Sequence, residues 1–213
     1  MPRIYILTTL IILICFFRQF ADEADIFSKE ARTFTDMHIP MFRILKDAYG
    51  GNLKPIAAKC IYTSTEPAAI ILEDLKKEGF RLADLTDGLD LKHCLLVMRT
   101  IAKYHAASLI LHLQDPSRFK VFLDNFFSQD FHNGMSGFFS CAVRSVKDEI
   151  KTWPGYEKYL GTLNALENAA IHHWVNGVRR DEAGFNVLIH GDLWKNNMMF
   201  RYSEKSGEVE DIR

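Results

Sequence analysis

One carboxylate and one amide stand five residues apart in the stretch Val187 to Phe200, VLIHGDLWKNNMMF: Asp192 and Asn197. Phosphoryl transfer needs such a pair. A carboxylate must orient or deprotonate the attacking hydroxyl, and a neutral amide oxygen must help hold a magnesium ion that bridges the phosphates. His190 and Gly191 lead into Asp192, so His190 joins Asp192 as a catalytic candidate and Asn197 is the metal candidate. The plain alternative is a His-Gly-Asp turn with a surface amide beyond it. The setting favours the chemical reading, because an apolar run precedes the motif and Met198-Met199-Phe200 follows it. Other constellations carry less. His172 and His173 are consecutive on an expected helix and point in different directions. Gly134-Met135-Ser136-Gly137-Phe138 nearly forms a nucleophile elbow, but the pattern requires glycine where Phe138 stands, which excludes a serine hydrolase.

The elements that must position this loop are legible as patterns. Val187-Leu188-Ile189 reads as a short strand delivering His190. Met198 to Tyr202, a polar turn at Ser203 to Gly207, and Val209 to Ile212 read as a closing hairpin. Leu91, Leu95, Met98, Ala102, His105 and Leu109 step by four and three and predict a helix with that stripe in the core, capped by Asp90. His105 then reads as a buried structural histidine. Phe27, Ala31, Phe34, Met37 and Met41 predict an earlier helix that Pro40 limits, with Asp25 or Ser28 as its cap. Lys54 to Thr63 and Ala68 to Leu72 predict a hairpin whose second strand is fully buried and stops at Glu73-Asp74. Phe119 to Phe127, Phe138 to Ile150 and Leu163 to Val178 read as further helices, with Trp153-Pro154-Gly155 as a turn. Strands, then helices, then a hairpin point to an α+β fold.

Composition sets the bounds. The chain has 213 residues, 48% of them hydrophobic and 25% charged, so it can bury a full core without staples. Lys plus Arg at 26 nearly cancels Asp plus Glu at 27, and a net charge of −1 excludes a general pull toward nucleic acid. Cys15, Cys60, Cys94 and Cys141 form no C-x-x-C clip and read as reduced packing residues of a cytoplasmic protein. Residues 1–24 stand apart. Ile4 to Phe17 is nearly all apolar between Arg3 and Arg18, shorter than the about 18–20 residues that span a bilayer, and has the look of a signal-peptide core. A secretory or membrane-attached protein is therefore the alternative, and a membrane is a partner only through residues 4–17. A poor cleavage site near Ala21 and Ala24 and the absence of any Asn-x-Ser/Thr sequon weigh against it.

Protein kinases arrange the same two roles in H-R-D-L-x-x-x-N, with the same Asp-to-Asn spacing. Here Gly191 replaces the arginine, which is typical of kinases acting on small molecules. With three further stretches, the chain resembles the ecdysteroid kinase-like (CHK kinase-like) family, relatives of choline and aminoglycoside kinases. Ile70 to Leu75 followed by Gly79-Phe80 resembles the family's strand and hinge, Ala102 to Ser108 its helix signature, and Phe27-Ser28-Lys29-Glu30 the start of its small-lobe helix. The likeness covers residues 25–213. It implies a protein-kinase-like fold, with a truncated small-lobe sheet and a mainly helical large lobe. It also implies ATP and magnesium as cofactors and a small-molecule hydroxyl as acceptor, a steroid alcohol such as an ecdysteroid being the leading guess. Glu73, Asp74 and Leu75 would meet adenine through main chain, and Glu30 would pair with a phosphate-binding lysine.

Three parts of the family's pattern are missing from residues 1–213. Gly50 is the first glycine, so no Gly-rich loop precedes Glu30. The basic residues before Glu30 are Arg3, Arg18 and Lys29, and Lys29 adjoins Glu30 on one helix, where neighbours do not face each other. The expected Asp-Phe-Gln segment is absent, and Asp211 cannot be substituted for its aspartate. The expectation is a kinase-like domain incomplete at both ends, partial or inactive as written. A non-catalytic kinase-like binding or regulatory protein stays open beside it.

Overall fold

The computed structural model describes residues 25–51, 53–83, 88–123, 129–178 and 184–213. The apolar leader read over residues 1–24 lies outside them. The chain divides into two compact units, one of Phe27–Val121 with Phe185–Arg213, the other containing Phe122–Gly184. Helices and two small sheets make the class α+β, as expected from the sequence.

In the first unit, helix α1 (Ile26–Arg32) runs through a π-helical turn, Thr33–Met37, into α2 (His38–Tyr49). The sequence predicted that Pro40 would limit this helix; instead it continues for nine residues beyond Pro40. A proline inside a helix has no N–H for the carbonyl four residues back, here Asp36. The guanidinium of Arg118 donates to that carbonyl at 3.2 Å, and the wider turn lies just before it. A long-range partner thus offsets the local defect. Gly50, at φ 83°, then ends α2 with its N–H on the Lys46 carbonyl.

Strands β1 (Cys60–Thr65) and β2 (Ala68–Leu72) form the expected hairpin around Glu66-Pro67, whose peptide bond is cis. Contrary to expectation, β2 is not fully buried: Ala68, Ile71 and Leu72 are exposed. Among the described residues the hairpin is a sheet of two strands, so a continuous apolar run does not have two covered faces here. A single 3₁₀ turn, Leu75–Glu78, follows, and β3 (Phe80–Leu82) pairs with β4 (Met199–Tyr202), itself paired with β5 (Val209–Ile212). The β4–β5 hairpin falls where the pattern placed it.

Helix α3 (Leu91–Gln114) begins at the predicted cap. Asp90 Oδ1 accepts the His93 N–H at 2.9 Å and contacts His93 Nδ1 at 2.7 Å. Its buried face differs from the predicted one. Leu91 is 73% exposed and Met98 63%, whereas His93, Val97, Tyr104, Ala107, Ser108 and Leu111 are buried. The helix is apolar on two sides, and periodicity alone cannot say which side meets the sheet. The β4–β5 hairpin decides it: Met198, Phe200 and Ile212 pack around Val97 to form the core. His93 fits this core because both ring nitrogens are used, Nε2 meeting the Tyr202 hydroxyl at 3.0 Å, while its ring packs edge-on against Phe200.

Asp211 lies on β5 of this hairpin. It is buried, and accepts from Arg201 Nη2 at 3.0 Å and Arg213 Nη1 at 2.8 Å, with Lys54 Nζ at 3.5 Å. Both guanidiniums also lie over the Phe80 ring, at 5.1 and 4.8 Å from its centroid.

The second unit contains α4 (Gln129–Ile150) and α5 (Leu160–Val178), which pack together. Glu167 on α5 receives Lys147 and Arg144 from α4, and Ser140 donates to the Glu167 carbonyl at 2.9 Å. The helical piece read over Phe119 to Phe127 is seen as far as Leu123. Residues 124–128 lie outside the described ones. Cys60, Cys94 and Cys141 are free thiols, and Cys15 lies outside the described residues.

Candidate active site

The site is a loop with one end on α3 and the other on β4. Val187–Ile189 forms no strand, which corrects the sequence expectation. Its apolar run pairs with no strand among the described residues. The Leu188 N–H instead finds the hydroxyl of Ser108, at 3.0 Å, on the buried face of α3.

Beyond His190 the chain turns sharply at Gly191, whose φ of 81° is strained for any residue with a Cβ. The Asp192 N–H then reaches back to His190 Nδ1 at 3.3 Å. Trp194 N–H donates to the Asp192 carbonyl at 3.1 Å, and Asn197 N–H to the Trp194 carbonyl at 2.9 Å, within the 3₁₀ turn Lys195–Asn197. Asn197 Nδ2 closes the loop by donating to the Asp192 carbonyl at 3.0 Å and to Asp192 Oδ2 at 2.7 Å. Met198 is buried immediately afterwards, and β4 starts. The five-residue spacing is therefore the length of one small loop that returns the amide to the carboxylate.

This pairing divides the polar atoms. Asn197 spends its NH₂ on Asp192, which leaves its Oδ1 as the acceptor facing elsewhere on the same amide. Asp192 spends Oδ2, and among the described residues Oδ1 has no partner. Both side chains are exposed. A neutral amide oxygen is the kind of hard donor that magnesium takes alongside carboxylates and phosphate oxygens. No group of three His, Cys, Asp or Glu side chains suited to a metal occurs among the described residues.

His190 shapes the turn by accepting the Asp192 N–H. Behind it lies a residue that the sequence reading did not single out. His38, at the start of α2, packs edge-on to Phe34 with ring centroids 4.9 Å apart, and to Tyr104 at 6.1 Å. Its Nδ1 is buried and has no hydrogen-bond partner among the described residues. Burial, and secondly the neighbouring His190, pull its pKa from 6.5 down to about 4. Burial likewise lowers the pKa of His105 and raises that of Tyr104. Ser108 and His38 were the residues missed. For Ser108 a signal existed: a hydroxyl inside an apolar helix needs a partner.

The remaining candidates lie apart from this loop in sequence and role. Glu30 is exposed and Lys29 buried, so the two neighbours do face differently, and no ion pair of Glu30 is seen among the described residues. Glu73 closes the β1–β2 hairpin twice: its N–H donates to the Lys59 carbonyl at 3.0 Å, and its Oε1 accepts the Lys59 N–H at 2.7 Å. Asp74 caps the 3₁₀ turn, its Oδ1 taking the Lys76 N–H at 3.1 Å. Leu75 is buried. Because the Glu73 carboxylate takes the Lys59 donor, the Glu73 carbonyl has no partner among the described residues, and neither does the Leu75 N–H.

The model of the ecdysteroid kinase-like family matches residues 5–213. The chain belongs to the ecdysteroid kinase-like family. No curated protein and no solved structure matches it significantly. Membership makes this a kinase-like protein of the small-molecule class, with phosphotransferase-type activity in general. The matched range takes in the hairpin, α3 and the Asp192–Asn197 loop together.

Proposed function

We propose that the loop carries ATP-dependent phosphoryl transfer to a hydroxyl of a small molecule, a steroid alcohol such as an ecdysteroid first among them, on a protein-kinase-like fold. The observation that carries the proposal is the bond from Asn197 Nδ2 to Asp192 Oδ2, at 2.7 Å, in a member of this family. It holds the carboxylate in one orientation and leaves Asp192 Oδ1 to receive a substrate hydroxyl. Asp192 takes that proton as the hydroxyl oxygen bonds to the γ-phosphorus, and the bond from phosphorus to ADP breaks. Asn197 Oδ1 would hold magnesium, which when bound neutralises charge on the phosphates. The Glu73 carbonyl and Leu75 N–H, two residues apart, match the donor and acceptor edge of adenine.

Exposed Ile189, Leu193 and Trp194 flank Asp192 in sequence and supply apolar surface beside the base. They support a largely apolar alcohol as acceptor. Residues 1–213 are expected to turn over at background level, because neither a Gly-rich segment nor a strand lysine precedes Glu30 to cradle the phosphates. The test is transfer of labelled phosphate from ATP, with magnesium and a panel of steroid and amino alcohols. It is run on residues 1–213 and on the longest product of the same transcript. Labelled product that disappears in Asp192→Asn supports the proposal. Product undiminished by that change, or no product from either protein with any acceptor, overturns it.

A further inference from the structure

We propose that Ser108 is a positioning residue for the catalytic loop, acting through Leu188; its catalytic consequence rests on the function proposed above. Ser108 is fully buried. Its single hydroxyl proton goes to the His105 carbonyl, at 2.8 Å, one turn earlier on α3. That bond fixes the rotor, so only lone pairs remain for the Leu188 N–H at 3.0 Å. The polarity is matched in both directions, and the serine is satisfied where a buried hydroxyl must be.

Leu188 lies two residues before His190 and four before Asp192. Val187–Ile189 belongs to no sheet, so no strand ladder fixes this end of the loop. The other end is fixed differently. Asn197 runs directly into buried Met198, and Met199 exchanges backbone bonds of 2.9 Å with Arg213. Losing Ser108 therefore loosens the end that carries the base while the end that carries Asn197 stays in place. The expected damage is a looser Asp192–Asn197 pair rather than loss of the fold. Alanine at 108 would strand the Leu188 N–H; threonine keeps an Oγ1 hydroxyl on the same carbon.

Hydrogen exchange and side-chain amide resonances of the purified protein test this without requiring activity. In the parent, the Leu188 amide is expected to exchange slowly. In Ser108→Ala it is expected to exchange at least about tenfold faster, while amides in β4 keep their protection. The Asn197 side-chain amide resonances are expected to move in the same variant, and Ser108→Thr is expected to restore both. Should Ser108→Ala not fold, the parent decides alone, since fast exchange at Leu188 there overturns the proposal. Unchanged Leu188 exchange and unchanged Asn197 resonances in a folded Ser108→Ala overturn it as well. In whichever product transfers phosphate, Ser108→Ala is expected to lower kcat about 100-fold, the scale of a small misplacement of a catalytic group, with KM for ATP unchanged. Equal kcat in an alanine variant whose loop exchange has opened also overturns the proposal. Complete absence of transfer from both products with serine at 108 sinks the phosphoryl-transfer reading and leaves the exchange arm to decide the positioning role.

Discussion

His38 makes the stability of this protein fall in mild acid, by an amount the structure sets. Unfolded, its imidazole titrates near the ordinary 6.5; folded, burial and His190 hold it at about 4. The native state therefore binds fewer protons than the unfolded chain between those values, and stability rises with pH across that window. The contribution is intact above pH 6.5, is lost progressively as pH falls, and is fully lost below 4. At about 1.4 kcal/mol per pKa unit the whole effect is roughly 3 kcal/mol, and roughly 2 kcal/mol of it is already lost at pH 5. That is a large share of the about 5–15 kcal/mol that hold a typical domain together. His38→Phe keeps a ring against Phe34 and Tyr104 and removes the titration together with the unpartnered Nδ1. Urea unfolding of parent and variant at pH 7.5 and pH 5 measures the difference. The parent is expected to lose about 2 kcal/mol more than the variant on acidification. His105, also lowered by burial, contributes in the same direction in both proteins and cancels from the comparison. Parallel losses in parent and variant would refute the assignment of a half-buried, neutral His38.

Three further outcomes follow from named contacts. Asp192→Asn is expected to leave the melting temperature within a degree or two and to reduce any phosphate transfer by about 10²–10⁴-fold, read by labelled product formation. Gly191→Ala forces a Cβ into a φ of 81° and is expected to cost about 1–2 kcal/mol in urea unfolding, with local exchange opening across 189–194. Asp211→Ala leaves Arg201 and Arg213 without their shared buried carboxylate and is expected to destabilise by about 3–5 kcal/mol, seen as a lower unfolding midpoint; a change under 1 kcal/mol would show that the network contributes little.

Features encoded in neighbouring residues were legible in the sequence alone. Asp90 as a cap, the β4–β5 hairpin and the Asp192–Asn197 spacing each depend on bonds between residues close together in the chain, so residue type and spacing suffice to state them. The family was legible for the same reason, because its motifs are local strings. What only the tertiary structure decided are choices between locally equal options. Helix α3 has apolar residues on two faces, and the hairpin rather than the pattern selected Val97 over Leu91 and Met98. Pro40 breaks a helix by local rules, yet α2 continues because Arg118, far along the chain, takes the carbonyl that proline cannot serve. Val187–Ile189 has the composition of a strand, but Leu188 pairs with a serine 80 residues away. A hydrogen bond or a packed face needs a partner in space, and only the folded chain determines which residue supplies it.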